Sequence, residues 1–314
     1  MSILAFALSV TGPIFLVVLL GYTLRRKNII DGAFVTSASQ VVFRVGLPAI
    51  LFLSIYEGEP PGYQQLRLTI MMILVTLILL GGSALHARIR IASSDDRRVF
   101  MQGGFRGNLG VIGLAFCANA YGLSGLSQAA VPMGILTILY NILAVFILGN
   151  PVDGRQGGFA WKTCRSIARN PLILGIVAGF AYQATGLPLP ALVRDTGDYF
   201  ASMTLPLALI CIGASLDFTT LRSVRGTVTA ACIWKLLVSP LIYTSIAWLM
   251  GYSGQTLGVV FFLGATPTAA ASFIMVKAMR GNESLAAGIV VASTLLSSFT
   301  VTIGLYLLRG LDLV

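Results

Sequence analysis

The chain has 314 residues, 56% of them hydrophobic and 10% charged, with a mean hydropathy of +0.88, whereas a soluble domain carries about a quarter charged residues. That excess of apolar surface excludes a soluble core, and apolar runs of roughly 20 residues without polar alternation exclude a barrel and indicate spanning helices. A net charge of +10 and a pI near 9.8 would suit a nucleic-acid binder, but the 21 basic residues sit at the ends of apolar runs and form no stripe, so the expected partner is the lipid bilayer and not nucleic acid.

In chain order, spans are predicted at 3–24, 33–55, 68–87, 98–119, 126–149, 170–186, 196–216, 227–250, 255–276 and 286–308. The first follows directly on Ser2, without a basic leader or a cleavage site, and reads as a retained span. Polar turns divide the rest: Arg25-Arg26-Lys27, the Glu57–Tyr63 segment with its two prolines, Arg88–Arg98, Tyr121–Ser127 and Asn150–Arg169. Shorter breaks fall around Leu187–Pro190, Thr219–Arg225, Gly251–Gln255 and Arg280–Glu283. Loops after the odd-numbered spans hold 15 Lys and Arg, and the opposite side holds three, Arg67, Arg194 and Arg309. Basic residues in short loops stay cytoplasmic, so both termini are expected outside.

The two halves of the chain match when shifted by about half its length. Gly12-Pro13 meets Asn170-Pro171, Gly21 meets Gly179, and Leu47-Pro48-Ala49-Ile50-Leu51 meets Leu205-Pro206-Leu207-Ala208-Leu209, all at an offset of 158. Gly104 and Gly122 meet Gly264 and Gly281 at offsets of 160 and 159. Residues 1–149 thus read as a first five-helix unit, 150–169 as a cytoplasmic linker and 170–314 as a second unit. Five is odd, so the second copy must enter the membrane from the opposite side. The expected fold is an all-α membrane protein of ten transmembrane helices in two inverted five-helix repeats.

Spans 4 and 9 carry the interruptions. Gly103–Gly113 holds five glycines in eleven residues, each costing a helix about 1 kcal/mol relative to alanine. Gly264-Ala265-Thr266-Pro267-Thr268-Ala269-Ala270-Ala271-Ser272 contains a proline that removes a backbone donor. Helices broken at these equivalent places, framed by Gly104 and Gly113 and by the kinking Pro48 and Pro206, would present half-helix ends at mid-membrane, where free N–H groups suit a carboxylate. The bland alternative is close packing of small residues. The candidate substrate-binding residues are Arg106, Gly107, Asn108, Gly110, Thr266, Pro267, Thr268, Ser272 and Asn141, the last matched by Ser298 at an offset of 157.

The 11 acids lie in loops or at span ends, so Arg106 has no obvious acidic partner: it meets backbone carbonyls, water or an anionic substrate, or it snorkels to the cytoplasmic face. Lys235 is read as snorkelling, and Arg44 is open between the two. Cys117, Cys164, Cys211 and Cys232 lack metal-ligand spacing and read as packing residues. The sole histidine, His86, sits at a span end, and no nucleophile, acid–base pair or metal set suggests an enzyme, a metal or a cofactor.

Arg106-Gly107-Asn108-Leu109-Gly110-Val111-Ile112-Gly113, Leu205–Leu209 running into Gly213-Ala214-Ser215-Leu216, Asn170-Pro171 and Thr266-Pro267 together resemble the auxin efflux carrier family over nearly the whole chain. That family includes bacterial malonate-type transporters and is distantly similar to bile-acid sodium symporters. The resemblance implies a scaffold or dimer domain, so a homodimer is open, and a transport domain in which helices 4 and 9 break, cross and hold an organic anion. The chain departs from the family in having Gly113-Leu114-Ala115 where a proline often follows, which weakens the expectation of a sharp break in span 4. The linker lacks the long insert of many plant carriers, so bacterial-type members in a cell inner membrane look closer. The expected function is a secondary transporter, an efflux carrier or uniporter, of a small mono- or dicarboxylate. A sodium- or proton-coupled symporter of the same substrates and a receptor without flux are the alternatives.

Overall fold

Helix starts and stops follow local chemistry. The computed structural model describes residues 3–58, 62–148, 170–216 and 225–314. The linker with Cys164, the turn bearing Arg222, and Pro60 and Pro61 lie outside the described residues. Helix α1 runs Ile3–Arg26 and ends on Arg25 and Arg26, which oppose the negative end of its dipole. Helix α2, Gly32–Val41, starts at Asp31, whose side chain accepts from the Phe34 N–H at 2.7 Å. It continues through a π turn, Val42–Gly46, into α3, Leu47–Tyr56. Helix α4, Tyr63–Arg90, closes on Arg88 and Arg90, and α5, Ser94–Phe105, opens on the Ser93 cap with Asp95 and Asp96 in its first turn.

A second π turn, Leu109–Gly113, leads into α6, Leu114–Leu148, which turns sharply at Gly122 (φ 60°, ψ −144°) and so comprises two rods. Helix α7, Pro171–Ala184, uses Asn170 as cap and Pro171 at its first position. Helix α8 is Ala191–Ala214. Helix α9, Arg225–Ile233, passes through a π turn, Trp234–Val238, into α10, Ser239–Leu249. Helices α11, Gly254–Ala265, and α12, Ala270–Ala278, precede α13, Glu283–Gly310, capped by Asn282.

Two of the π turns have a shared cause. A proline within a helix removes a donor and collides with the carbonyl four residues back, and a locally widened turn relieves both. Val42–Gly46 ends two residues before Pro48 in this way, and Trp234–Val238 ends two residues before Pro240. Pro206 lies inside α8 without such a turn.

Seven helical stretches among the described residues are long and apolar enough to cross a membrane, and α7 and α11 are shorter apolar helices. The chain is a multi-pass helical membrane protein. Leu16, Ile70, Leu74, Ile78, Leu241 and Phe299 point outward, which suits lipid and would not suit water.

The two halves of the chain interleave. Helix α1 lies along α8, and α3 lies along α7 and α8. Glycines permit these approaches: a Cβ on Gly21 would enter the Ile210 backbone, one on Gly213 the Val18 backbone, and one on Gly175 the Pro48 backbone. Helices α4 and α5, α10 and α11, and α9 and α13 pack as pairs alongside, with α6 touching both groups.

At one end of the bundle the Gly254 N–H donates to the Leu313 carbonyl at 2.8 Å, and the Arg309 guanidinium sits 3.5 Å from the Phe6 ring centroid. A polar cavity of about 640 Å³ opens there between Glu57, Tyr63, Ser124, Gln128, Tyr252 and Gln255. Elsewhere Asn282 Nδ2 donates to Asp96 Oδ1 at 2.8 Å, joining the loop before α13 to the first turn of α5.

Candidate functional site: two interrupted helices

The helical runs α5 to α6 and α11 to α12 each lose their hydrogen-bond ladder for a few residues, and the two gaps meet. Arg106 (φ −82°, ψ 100°) ends α5, and Thr266 (φ −58°, ψ 140°) ends α11. The exposed main chains pair as an isolated antiparallel bridge between Gly107 and Thr268. The Asn108 N–H donates to the Pro267 carbonyl at 2.8 Å, and the Ala269 N–H donates to the Arg106 carbonyl at 3.2 Å. Span 4 therefore breaks without the proline whose absence weakened that expectation, because the bridge supplies the bonds its helix gives up.

Gly107 has to be a glycine here. In this pairing it comes so close to α11 that a Cβ would meet Thr266 Oγ1 and approach Lys235 Nζ to 3.1 Å. Gly110, by contrast, leaves a Cβ 4.0 Å from Leu172.

The carbonyls released by the breaks are met by side chains, as buried polar groups must be. The Gly103 carbonyl accepts from Thr268 Oγ1 at 2.9 Å. The Leu263 carbonyl, whose helical donor would be the nitrogen of Pro267, accepts instead from Thr266 Oγ1 at 2.9 Å. The Gly264 carbonyl has lost the Thr268 N–H to Ser293 Oγ (3.1 Å), and it accepts from Ser239 Oγ at 2.9 Å and Lys235 Nζ at 3.0 Å.

Arg106 is 6% exposed and reaches no surface. Its Nη2 donates to Asn141 Oδ1 at 2.8 Å, and its Nη1 lies 2.8 Å from Met275 Sδ. Gln102 Nε2 is 3.9 Å from the same sulfur, and Gln102 Oε1 is buried with no partner among the described residues. Ser272 Oγ, in the first turn of α12, is likewise buried and unpartnered. The ion pairs among the described residues, Arg98–Asp95, Arg194–Glu57 and Lys277–Glu283, include neither Arg106 nor Lys235.

The structure thus gathers Arg106, Gly107, Asn108, Thr266, Pro267 and Thr268 at one point, with Asn141 reaching it through Arg106. Gly104 lies in the last turn of α5, and Gly113 ends the π turn that follows the break. Pro48 lies against Gly175, and Pro206 lies inside α8. Ser298 donates to its own helix at Leu295, and Arg44 is exposed. The crossing residues are not among those lining the 640 Å³ cavity.

One expectation is corrected. Lys235 does not snorkel: it is completely buried, and its ammonium ends at the crossing. Distance to the span end suggested snorkelling, but the π turn and the helix phase aim the side chain inward. The sign in the sequence was Ser239, one turn on, the hydroxyl that Lys235 Nζ approaches to 3.3 Å. Met275 and Ser293 were also missed, since a lone Met or Ser in an apolar run carries no distinguishing pattern.

A multi-pass helical protein with two interrupted helices bonded through their gaps belongs, as a class, with the membrane transporters. Residues 8–305 match the family model described as "Membrane transport protein", and the chain belongs to that family, the family of the auxin efflux carriers, whose members are transporters and not enzymes. It is 25% identical over 285 residues to an "Uncharacterized transporter" of Methanothermobacter thermautotrophicus, covering 90% of this chain and 92% of the relative. It is 28% identical over 220 residues to a "Putative malonate transporter" of Rhizobium meliloti, covering 67% of each. An uncharacterized transporter of Methanocaldococcus jannaschii is 23% identical over 83% of this chain and 86% of its own length.

Proposed function

We propose that this protein is a carrier for a small mono- or dicarboxylate, an efflux carrier or uniporter, built as two oppositely inserted five-helix units whose broken helices hold the substrate. The observation that carries the reading is Arg106: a buried guanidinium at a helix break, served by Asn141 Oδ1 and Met275 Sδ and by no carboxylate among the described residues. A buried cation with neutral partners is costly, and an anionic substrate supplies the missing charge. The arrangement is bidentate in principle, since a guanidinium presents parallel donors to a carboxylate. The malonate name borne by the Rhizobium meliloti relative points to the same chemistry.

Ten spans with both termini outside an inner membrane fit the way the loops gather. Glu57, Gly58, Gly62, Tyr63, Ser124, Tyr252 and Gln255, from loops that the basic-residue count puts on one side, line one cavity, and Leu313 bonds beside them. Equivalent glycine contacts, Gly21 of α1 on α8 and Gly179 of α7 on α3, support the inverted repeat.

The test is flux. Purified protein in liposomes should move a labelled malonate-class carboxylate, and the same carboxylates should raise its melting temperature. Arg106→Ala should lose that thermal response. No movement of any carboxylate under any gradient, or an equal thermal response in Arg106→Ala, would sink the reading.

A further inference from the structure

The carbonyl ends of the two broken helices are finished differently. At the end of α5 a hydroxyl from Thr268 is the side-chain donor that meets the Gly103 carbonyl among the described residues. At the end of α11 the Ser239 hydroxyl meets the orphaned Gly264 carbonyl in the same manner, yet Lys235 Nζ is added at 3.0 Å. By comparison with α5, the hydroxyl would have sufficed as a cap. Burying an ammonium with no counter-charge among the described residues is costly, so the charge and not the hydrogen bond is what distinguishes this end.

The surroundings are those of a hard monovalent cation. Gly264 O and Ser239 Oγ both face the ammonium, and Thr266 Oγ1 lies against the same face of Gly107 that Lys235 Nζ approaches. Carbonyl and hydroxyl oxygens at the C-terminal end of an interrupted helix are the donors that coordinate a coupling ion in transporters with discontinuous helices, where the dipole adds negative potential.

We infer that Lys235 is a tethered cation, its ammonium filling at the carbonyl end of α11 the place that a sodium or potassium ion would occupy. The oxygen cage at the end of α11 is then filled without a bound cation, and transport needs none. Lys235 is in this sense the residue that sets ion coupling. The link to transport rests on the carrier reading above; the occupancy of the oxygen cage does not.

The full-length protein and Lys235→Ala are unfolded thermally in detergent in NaCl, KCl or N-methyl-D-glucamine chloride at equal ionic strength. The unsubstituted protein should melt within about 1 °C of the same temperature in all three, and Lys235→Ala should gain about 3 °C or more, saturably, in sodium or potassium. Lys235→Met, which refills the volume without charge, should show no cation response and so reports the packing loss alone. A saturable cation response in the unsubstituted protein overturns the inference, as does a Lys235→Ala variant equally destabilised in every salt. Should that variant not purify, Lys235→Ser is read by the same criterion, and failure of both in every salt counts against the inference, because a cation should have filled the cage. In liposomes, carboxylate flux should be unchanged by sodium removal in the unsubstituted protein. In Lys235→Ala it should fall at least about tenfold without sodium or potassium and recover with one of them. If no carboxylate moves at all, the carrier reading fails while the thermal comparison still decides this inference.

Discussion

The backbone N–H of Asn108 donates to the carbonyl of Pro267 at 2.8 Å, each group having been released from its own helix. With the return bond from Ala269 N–H to the Arg106 carbonyl, it makes two helix interruptions a single structural unit. Neither gap would be satisfied in an apolar interior without the other, so damage to one side should be felt on both.

Gly107→Ala tests that unit at its tightest point. A Cβ there meets Thr266 Oγ1 and the Lys235 side chain, so the substitution should destabilise by about 1–3 kcal/mol and abolish flux. Gly110→Ala, with 4.0 Å to Leu172, should stay near the unsubstituted protein. Thermal unfolding of both in detergent checks the contrast, and equal losses would argue against the bridge.

Thr268 caps a foreign helix, since its hydroxyl donates to the Gly103 carbonyl. Thr268→Val keeps the shape but leaves that carbonyl unmet and should cost about 1–3 kcal/mol, whereas Thr268→Ser should cost less than about 1. Chemical or thermal denaturation distinguishes the two.

Arg106 and Asn141 should behave as a coupled pair. Asn141→Ala leaves the guanidinium short of an acceptor, and a double-mutant cycle with Arg106→Gln should show a coupling of about 1–3 kcal/mol. Arg106→Lys should not restore carboxylate-induced stabilisation, because a point charge cannot present the fork of donors. Restoration by lysine would show that charge alone is read.

A uniporter of a monovalent carboxylate obeys the membrane potential. Moving one charge through 100 mV is worth about 2.3 kcal/mol, so substrate should distribute about 50-fold across liposomes clamped at that potential. A distribution that ignores a potassium–valinomycin clamp but follows a sodium or proton gradient would replace uniport with coupling.

Much of this was legible from residue order. Glycines at 103–113 and Pro267 marked the interruptions because their cost to a helix is local and needs no partner. The lack of a proline after Gly113 was a poor guide to how sharply span 4 breaks: Arg106–Asn108 leaves its helix because Pro267 and Ala269 offer replacement bonds, and those lie some 160 positions away in the chain. Lys235 was misread for a related reason. Counting residues to a membrane face gives depth along an axis but not direction around it, and the π turn before Pro240 changes that direction.

What the sequence determined by itself was the solvent of the protein and the number of ways its chain could be satisfied there. Too few charges and long apolar runs force helices, because hydrocarbon offers backbone groups no other partner. What only the tertiary structure decided was which released groups meet. Asn141 and Met275 share Arg106, Thr268 caps Gly103, and Lys235 completes the end of α11. These are contacts between distant helices, fixed by rotation and close approach, and no local pattern of residues encodes either.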